Sequence, residues 1–171
     1  IGLVDRHTTR QYVNGLLDEM RLSNAKKSDA WIKADYYAVT NDLLTISSEV
    51  EQDPADSFAN RLEITIDHTQ IDEDLTHFPV PVILGLSQAA VFEDLGSSSK
   101  KIAFTTDNGV TQLYAEVEQW DATNKQAVIW VSKSDFVISS TEDTTLYLYY
   151  DSTATDNTAY VGGVTDTAAQ N

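Results

Sequence analysis

The sequence predicts an all-β protein, an antiparallel β-sandwich of the jelly-roll or immunoglobulin-like kind, with one short helix near residues 28–38. From residue 58 onward, short apolar segments recur with turn residues between them, which is typical of sandwiches. In residues 61–67, apolar and polar side chains alternate strictly, which is the period of a strand with one buried face. The spacing typical of a helix occurs in one short stretch, around Ile32 and Tyr36.

Each predicted element has a local signal. Ser28 is a good helix N-cap, and Asp29 follows in the first turn, where a helix favours negative charge. The tripeptide Asp107-Asn108-Gly109 is a strong hairpin turn. Strands are predicted at residues 43–47, 61–67, 78–86, 101–106, 111–120, 126–132 and 144–150. The side chains predicted to be buried in the second part of the chain are Leu62, Ile64, Ile66, Val82, Phe104, Val117 and Leu148.

Composition divides the chain into four segments. Residues 1–50 form the first, and an acidic stretch at residues 51–57 that carries the first proline is the predicted linker. Residues 58–152 hold the strand-and-turn pattern of a β-sandwich domain. Residues 153–171 are rich in Thr, Ala, Asp and Gly and are predicted to be a linker or irregular tail.

The charge excludes several classes of function. The net charge is −16, and residues 54–171 hold 5 basic against 18 acidic groups, a net of −13. Such a surface repels phosphate, so we expect neither nucleic acid nor anionic lipid as a partner. No apolar run approaches the length of a membrane helix, so no membrane insertion is expected. The chain has no cysteine, which excludes disulfides and cysteine-based zinc sites.

The first fifty residues resemble the end of a domain. Residues 12–33 read YVNGLLDEMRLSNAKKSDAWIK. This stretch resembles the closing hairpin and last helix of laminin-G-like, concanavalin A-like jelly rolls, with Gly15, Asp18-Glu19, Arg21, Asn24 and Trp31-Ile32 in place. The first two-thirds of such a domain are missing. The resemblance therefore implies an incomplete jelly roll and a chain cut from a longer multidomain protein.

A second resemblance covers residues 58–152. The motifs that carry it are Ile64-Thr65-Ile66-Asp67, His77-Phe78-Pro79-Val80, Trp120-Asp121, Trp130-Val131 and residues 146–150 (LYLYY). In order and spacing they resemble a bacterial and archaeal domain of unknown function, family 2341 of that series. The resemblance implies a large secreted or surface parent protein, in which such domains commonly lie beside laminin-G-like jelly rolls. The family has no assigned chemistry.

Candidate sites are few. Asp72, Glu73 and Asp74 are the densest carboxylate cluster, yet three adjacent side chains cannot supply the six to eight oxygens that calcium needs. We therefore predict no metal site, with these three as the only candidates. Trp120, Trp130, Tyr147 and Tyr149 are candidate ligand-binding residues, since exposed aromatic rings stack on sugars, although the favoured interpretation is that they fill the core or pack across strands. No catalytic residue and no cofactor are predicted.

These observations favour a non-enzymatic structural or adhesive module of a large secreted, surface or filament-forming protein. The alternative is a carbohydrate-binding accessory module of a secreted glycan-degrading or adhesive protein. The expected location is extracellular or at the cell surface, or alternatively on a virion surface. The expected partners are neighbouring domains or copies of the same protein, and polysaccharide under the alternative function. Because closing strands alone leave open edges, we also expect Val13, Leu17, Met20, Trp31, Ile32 and Ile46 to lie against strands outside residues 1–50.

Overall fold

The structure is a computed structural model that describes residues 26–40, 42–47, 50–51 and 58–163. In this part of the chain it is an antiparallel β-sandwich, as the sequence predicts. The helices in chain order are α1 (Asp29–Val39) and α2 (Ala89–Leu95). The strands are β1 (Leu44–Ile46), β2 (Val50–Glu51), β3 (Asn60–Ile66), β4 (Leu75–Thr76), β5 (Val80–Leu84), β6 (Ile102–Thr106), β7 (Gln112–Asp121), β8 (Gln126–Ser132), β9 (Val137–Ile138), β10 (Thr144–Tyr150) and β11 (Val161–Gly162).

Two sheets share the long strand β7. The first sheet runs β1-β3-β10-β6-β7, with β2 also paired to β3. The second runs β11-β7-β8-β5. β6 pairs with β7 only at Gln112 and Leu113. Further along the same edge of β7, from Ala115 onward, the partner is β11. β11 is parallel to β7, while the other pairs are antiparallel. A separate ribbon pairs β4 with β9.

The core lies between the two sheets. In β8, Ala127, Ile129 and Val131 are buried, whereas Val128 and Trp130 between them are partly exposed. This alternation follows from the pleat of a strand, because successive side chains point to opposite faces. The predicted core is confirmed, since each of its seven side chains is at most 2% exposed: Leu62, Ile64, Ile66, Val82, Phe104, Val117 and Leu148.

Helix α1 begins where the sequence predicts. The Ser28 hydroxyl accepts a hydrogen bond from the Trp31 backbone N–H at 3.1 Å, which satisfies a donor that the first turn leaves open. Ala34 and Ala38 on its inner face are buried in the sandwich core. The Trp31 ring packs edge-on against Phe78, with 5.3 Å between centroids. The helix thus covers the edge of the sandwich beside β5.

The described part of residues 1–50 belongs to the same core as the strands beyond the predicted linker. Leu43 and Leu44 are buried with the sandwich side chains, and β1 and β2 both pair with β3. Trp31 meets a segment outside residues 1–50, as expected, whereas Ile32 is 58% exposed. Residues 1–25, with Val13, Leu17 and Met20, and residues 52–57 of the predicted linker lie outside the described residues. The division into domains therefore stays a prediction.

Several elements of the structure lie outside the predicted helix and strands. Helix α2 buries Val91, Phe92 and Leu95, and it ends at Gly96, which has a φ of +54°. The ribbon of β4 and β9 joins segments that were predicted to be loops. Residues 153–163 are not a simple tail, because β11 pairs with β7 and Val161 is 2% exposed. Residues 164–171 lie outside the described part.

Candidate functional site

Trp120, the first aromatic candidate, is a packing residue. β7 changes register between Val117 and Gln119, and this bulge turns Trp120 to the face that carries Ala127, a core residue. The indole lies 5.1 Å from the Phe92 ring and donates through Nε1 to the Gly96 carbonyl at 2.8 Å. Trp120 therefore fixes α2 to the second sheet, and its ring is not a free surface for a ligand.

Tyr147 and Tyr149 lie on the outer face of the first sheet and already have partners. The guanidinium of Arg61 sits over the Tyr147 ring, 4.7 Å from its centroid. Tyr149 is only 4% exposed and lies 6.3 Å from the ring of Phe58. Both rings thus contribute to packing across β3 and β10, as aromatic side chains on neighbouring strands commonly do.

Trp130 is the candidate that lies half-exposed on the outer face of the second sheet. Its indole Nε1 donates to the Glu118 carboxylate, which fixes the orientation of the ring. Tyr114 on β7 shares this face, and its ring stacks on that of Tyr160 with 5.2 Å between centroids. We call Tyr114, Trp130 and Tyr160 the aromatic row.

Tyr114 and Tyr160 were not among the candidates predicted from the sequence, for different reasons. Alternation in β7 and β8 would have placed Tyr114 and Trp130 on the outer face together, because Leu113 and Ile129 beside them are buried. Tyr160 gave no such signal, since it lies in a segment predicted to be a tail. Its position depends on the pairing of β11 with β7.

The three metal candidates do not converge on one point. Asp72 forms an ion pair with Lys33 on α1, with 2.6 Å between Oδ1 and Nζ. Asp74 accepts hydrogen bonds from the backbone N–H and the hydroxyl of Ser140, both at 2.9 Å. Glu73 is exposed between them. Asp72 and Asp74 therefore hold two different parts of the fold.

A different group of metal-ligating residues comes together in the structure. One ligand atom each from Asp67, His68 and Asp143 lies within 4.8 Å of the others. Asp143 Oδ1 is 2.7 Å from His68 Nδ1 and accepts from the His68 backbone N–H at 3.0 Å. Asp67 accepts from the backbone N–H and hydroxyl of Thr69. These hydrogen bonds explain the positions of both carboxylates without an ion, although the three side chains could supply ligands to one.

Asp143 also lines an acidic cleft of about 330 Å³ at one end of β6 and β10. Its other carboxylates are Asp107, Asp135 and Glu142, and Asp135 is paired with Lys133 at 3.3 Å. Hydroxyl groups of Thr106, Ser139, Thr144 and Thr145 complete the polar part of the wall. This concentration of negative charge disfavours the binding of phosphate and other anions in the cleft.

Hydrogen bonds lower the pKa of several loop carboxyls. The Thr69 hydroxyl has the largest effect on the pKa of Asp67, and the Ser140 backbone N–H on that of Asp74. The Asn124 backbone N–H lowers the pKa of Asp121. The pKa of Asp143 is lowered mainly by its hydrogen bond with the His68 side chain, and that of Asp151 mainly by its hydrogen bond from the Thr153 hydroxyl. Since these bonds form to the charged carboxylate, they keep it ionised.

Comparison with known proteins gives one family. Residues 98–167 match the family described as "Domain of unknown function (DUF2341)". The match begins near β6 and extends past residue 152, so it includes β11. It supports the resemblance to that family for the second half of the chain. No curated protein and no solved structure matches the chain. Within the described residues, no helix has the length and apolar character needed to cross a membrane.

Proposed function

We propose that this chain is a non-enzymatic structural or adhesive module of a large secreted, surface or filament-forming protein. The observation that carries the proposal is a set of aspartates that tie together loops far apart in the sequence. Each carboxylate accepts a backbone N–H from a residue 58 to 92 positions away. The four ties are Asp74 with Ser140, Asp94 with Ser152, Asp143 with His68, and Asp151 with Ala59.

These hydrogen bonds hold loops together, as disulfides do in many exported domains. The chain has no cysteine, so disulfides cannot close its loops. A hydrogen bond to a charged carboxylate is stronger than one between neutral groups. The lowered pKa of Asp74, Asp143 and Asp151 keeps those three tie carboxylates ionised to more acidic pH than an ordinary aspartate. A sandwich whose loops are held in this way keeps its shape, which suits a spacer between neighbouring domains.

The sequence resemblances supply the context of the proposal. Residues 1–50 resemble the closing part of a laminin-G-like jelly roll, and residues 98–167 match a domain of unknown function. We place the module in an extracellular or cell-surface protein. Since α1 and β1 already pack into this sandwich, a neighbouring jelly roll would draw on residues before 26 and be completed by the parent chain or by another copy. Its partners are then adjacent domains or copies of the same protein.

The ties are tested by removing one of them. Asp74→Ala should lower Tm and make the loop around Ser140 several times more sensitive to limited proteolysis, because both hydrogen bonds to Ser140 are lost. The matched control is Asp156→Ala, which removes an exposed aspartate outside the four ties and should leave both measurements unchanged. If the two variants had the same Tm and the same sensitivity to proteolysis, the tie between Asp74 and Ser140 would not hold the loop, and the proposal would lose its support.

A further inference from the structure

We propose that the outer face of the second sheet binds a neutral polysaccharide, with sugar rings lying on Trp130 and Tyr114, and with Tyr160, which packs against the core, supporting the Tyr114 ring. The inference rests on the proposed function, because it names the class of ligand that an adhesive module of this kind would hold. Aromatic side chains suit such a ligand, since each offers a broad apolar face with few rotatable bonds. The aliphatic C–H groups on one side of a pyranose ring are the natural partners of that face.

The strand register sets the aromatic row across the sheet. Trp130 on β8 pairs with Glu116 on one side and Pro81 on the other. Tyr114 pairs with Ser132, two residues along β8 from Trp130, and this diagonal separation is within reach of aromatic side chains. Tyr160 continues the row beyond β7 by stacking on Tyr114. From Tyr160, just before β11, through Tyr114 on β7 to Trp130 on β8, the row covers two strand spacings, about 10 Å at the usual spacing, which is the scale of a short oligosaccharide.

The rings of the row are held in place and remain partly open to solvent. Tyr114, Trp130 and Tyr160 are all half-buried. Tyr160 packs against the sandwich core and stacks on Tyr114, so it holds that ring in place. The bulge in β7 inserts Glu118 next to Trp130, where its carboxylate accepts the indole N–H. A fixed ring binds with less loss of conformational entropy than a mobile one.

The polar side chains beside the row determine which polysaccharide fits. Glu116 lies directly opposite Trp130 and is exposed, as is Gln119 further along β7. Carboxylate and amide oxygens accept hydrogen bonds from sugar hydroxyl groups. Glu116 and Glu118 belong to a chain of net charge −16, and their carboxylates repel uronic acid and sulfate groups. A neutral hexose polymer has hydroxyl groups that can donate to these oxygens and carries no negative charge.

The other aromatic surfaces are less suitable. Arg61 covers one face of Tyr147, and Trp120 is turned toward the core by the bulge. On α1, Tyr36 and Ile32 are exposed, but Tyr36 packs edge-on against Tyr37 and has Asp35 beside it in the chain, with no row of rings across neighbouring strands. The aromatic row is the surface in the described residues that combines several half-exposed rings with hydrogen-bond acceptors.

Affinity electrophoresis of the full chain tests the proposal. Gels contain hydroxyethyl cellulose, glucomannan or laminarin as neutral polymers, and alginate or heparin as anionic ones. We expect retardation by at least one neutral polymer and by neither anionic polymer. Trp130→Ala should weaken that binding at least about tenfold. The matched control, Tyr147→Ala, removes a half-exposed ring from the other sheet and should bind as the wild type does.

Further variants separate stacking from folding. Trp130→Phe keeps a ring but loses the hydrogen bond to Glu118, so it should retain most of the binding that Trp130→Ala loses. The far-ultraviolet circular dichroism and Tm of each variant show whether it folds. The proposal is overturned if no neutral polymer retards the chain, if alginate or heparin binds as well, or if folded Trp130→Ala binds normally. Any of these results leaves the structural role intact, because that role is measured by the loss of loop ties and not by glycan binding.

Discussion

Gly109 is a single residue on which the turn between β6 and β7 depends. Its φ is +69°, a region that side chains with a Cβ rarely adopt, and an added Cβ would lie 3.1 Å from the Tyr149 hydroxyl. Gly109→Ala should therefore lower the free energy of unfolding by about 1–2 kcal/mol. Chemical denaturation measures this change as a shift in midpoint at constant slope.

Gly85 provides the control for this substitution. Its φ is −137°, and an added Cβ would meet nothing within 4 Å. Gly85→Ala should change the free energy of unfolding by no more than about 0.5 kcal/mol. If Gly109→Ala were equally harmless, the turn would not require a left-handed residue at that position.

At the level of residues, sequence patterns were informative where alternation is unbroken. They placed Ile64 and Phe104 in the core correctly, and both are fully buried. They could not separate Trp120 from Trp130, because the bulge between Val117 and Gln119 reverses the alternation within β7. A bulge of this kind leaves no clear mark in a single sequence, so the packing role of Trp120 became visible only from the fold.

β11 is the strand whose importance the sequence concealed. Its Val161 is 2% exposed, pairs with Ala115 and lies in the sandwich core. Val161→Ala should lower the free energy of unfolding by about 1.5–3 kcal/mol, because a buried apolar side chain is lost. The change is measured by urea denaturation of the full chain.

Val110 is the matched control for this substitution, since it is the same residue type at 81% exposure. Val110→Ala should stay within about 0.5 kcal/mol of the wild type. A Val161→Ala variant as stable as Val110→Ala would show that β11 contributes nothing to folding and that the predicted tail was a sufficient description.

The predicted strands show a local alternation of apolar and polar residues, whereas the missed strands depend on pairing with distant parts of the chain. β3, β8 and β10 follow from local alternation, and the structure has them within one residue of the predicted bounds. β4, β9 and β11 have two residues each, too short for a period to show, and they exist because distant strands offer them partners. Helix α2 was missed because its apolar run, Ala89-Ala90-Val91-Phe92, is too short to distinguish a helix from a loop.

At the scale of the whole molecule, the sequence indicated that the fold is a β-sandwich better than it indicated where along the chain the sandwich begins and ends. The change of composition near residues 51–57 suggested a boundary, yet β1 and β2 on one side pair with β3 on the other. Composition records what a segment is made of, while pairing depends on partners elsewhere in the chain. The candidate site shows the same limit, because the aromatic row joins residues 114, 130 and 160 through strand pairing alone.

Acid should destabilise the whole molecule through its loop carboxylates. Asp67, Asp74, Asp121, Asp143 and Asp151 all have pKa values below the ordinary aspartate value, because each accepts hydrogen bonds in the folded state. The stability that such groups contribute is fully present above the unfolded pKa, about 4, and is lost as the pH falls through the lower folded value. We therefore expect Tm to be steady from neutral pH to about pH 5 and to fall below about pH 4.

One competing effect acts in the opposite direction and has to be suppressed in the measurement. The net charge of −16 repels itself at neutral pH, and protonation relieves that repulsion. Calorimetry at about 1 M salt, where the Debye length is about 3 Å, screens the repulsion and leaves the short hydrogen bonds in place. Under these conditions Asp74→Ala should lose less Tm on acidification than the wild type, because one of the titrating ties is already absent. A Tm that does not fall between pH 5 and pH 2.5, or an equal fall in both proteins, would show that these carboxylates do not hold the loops.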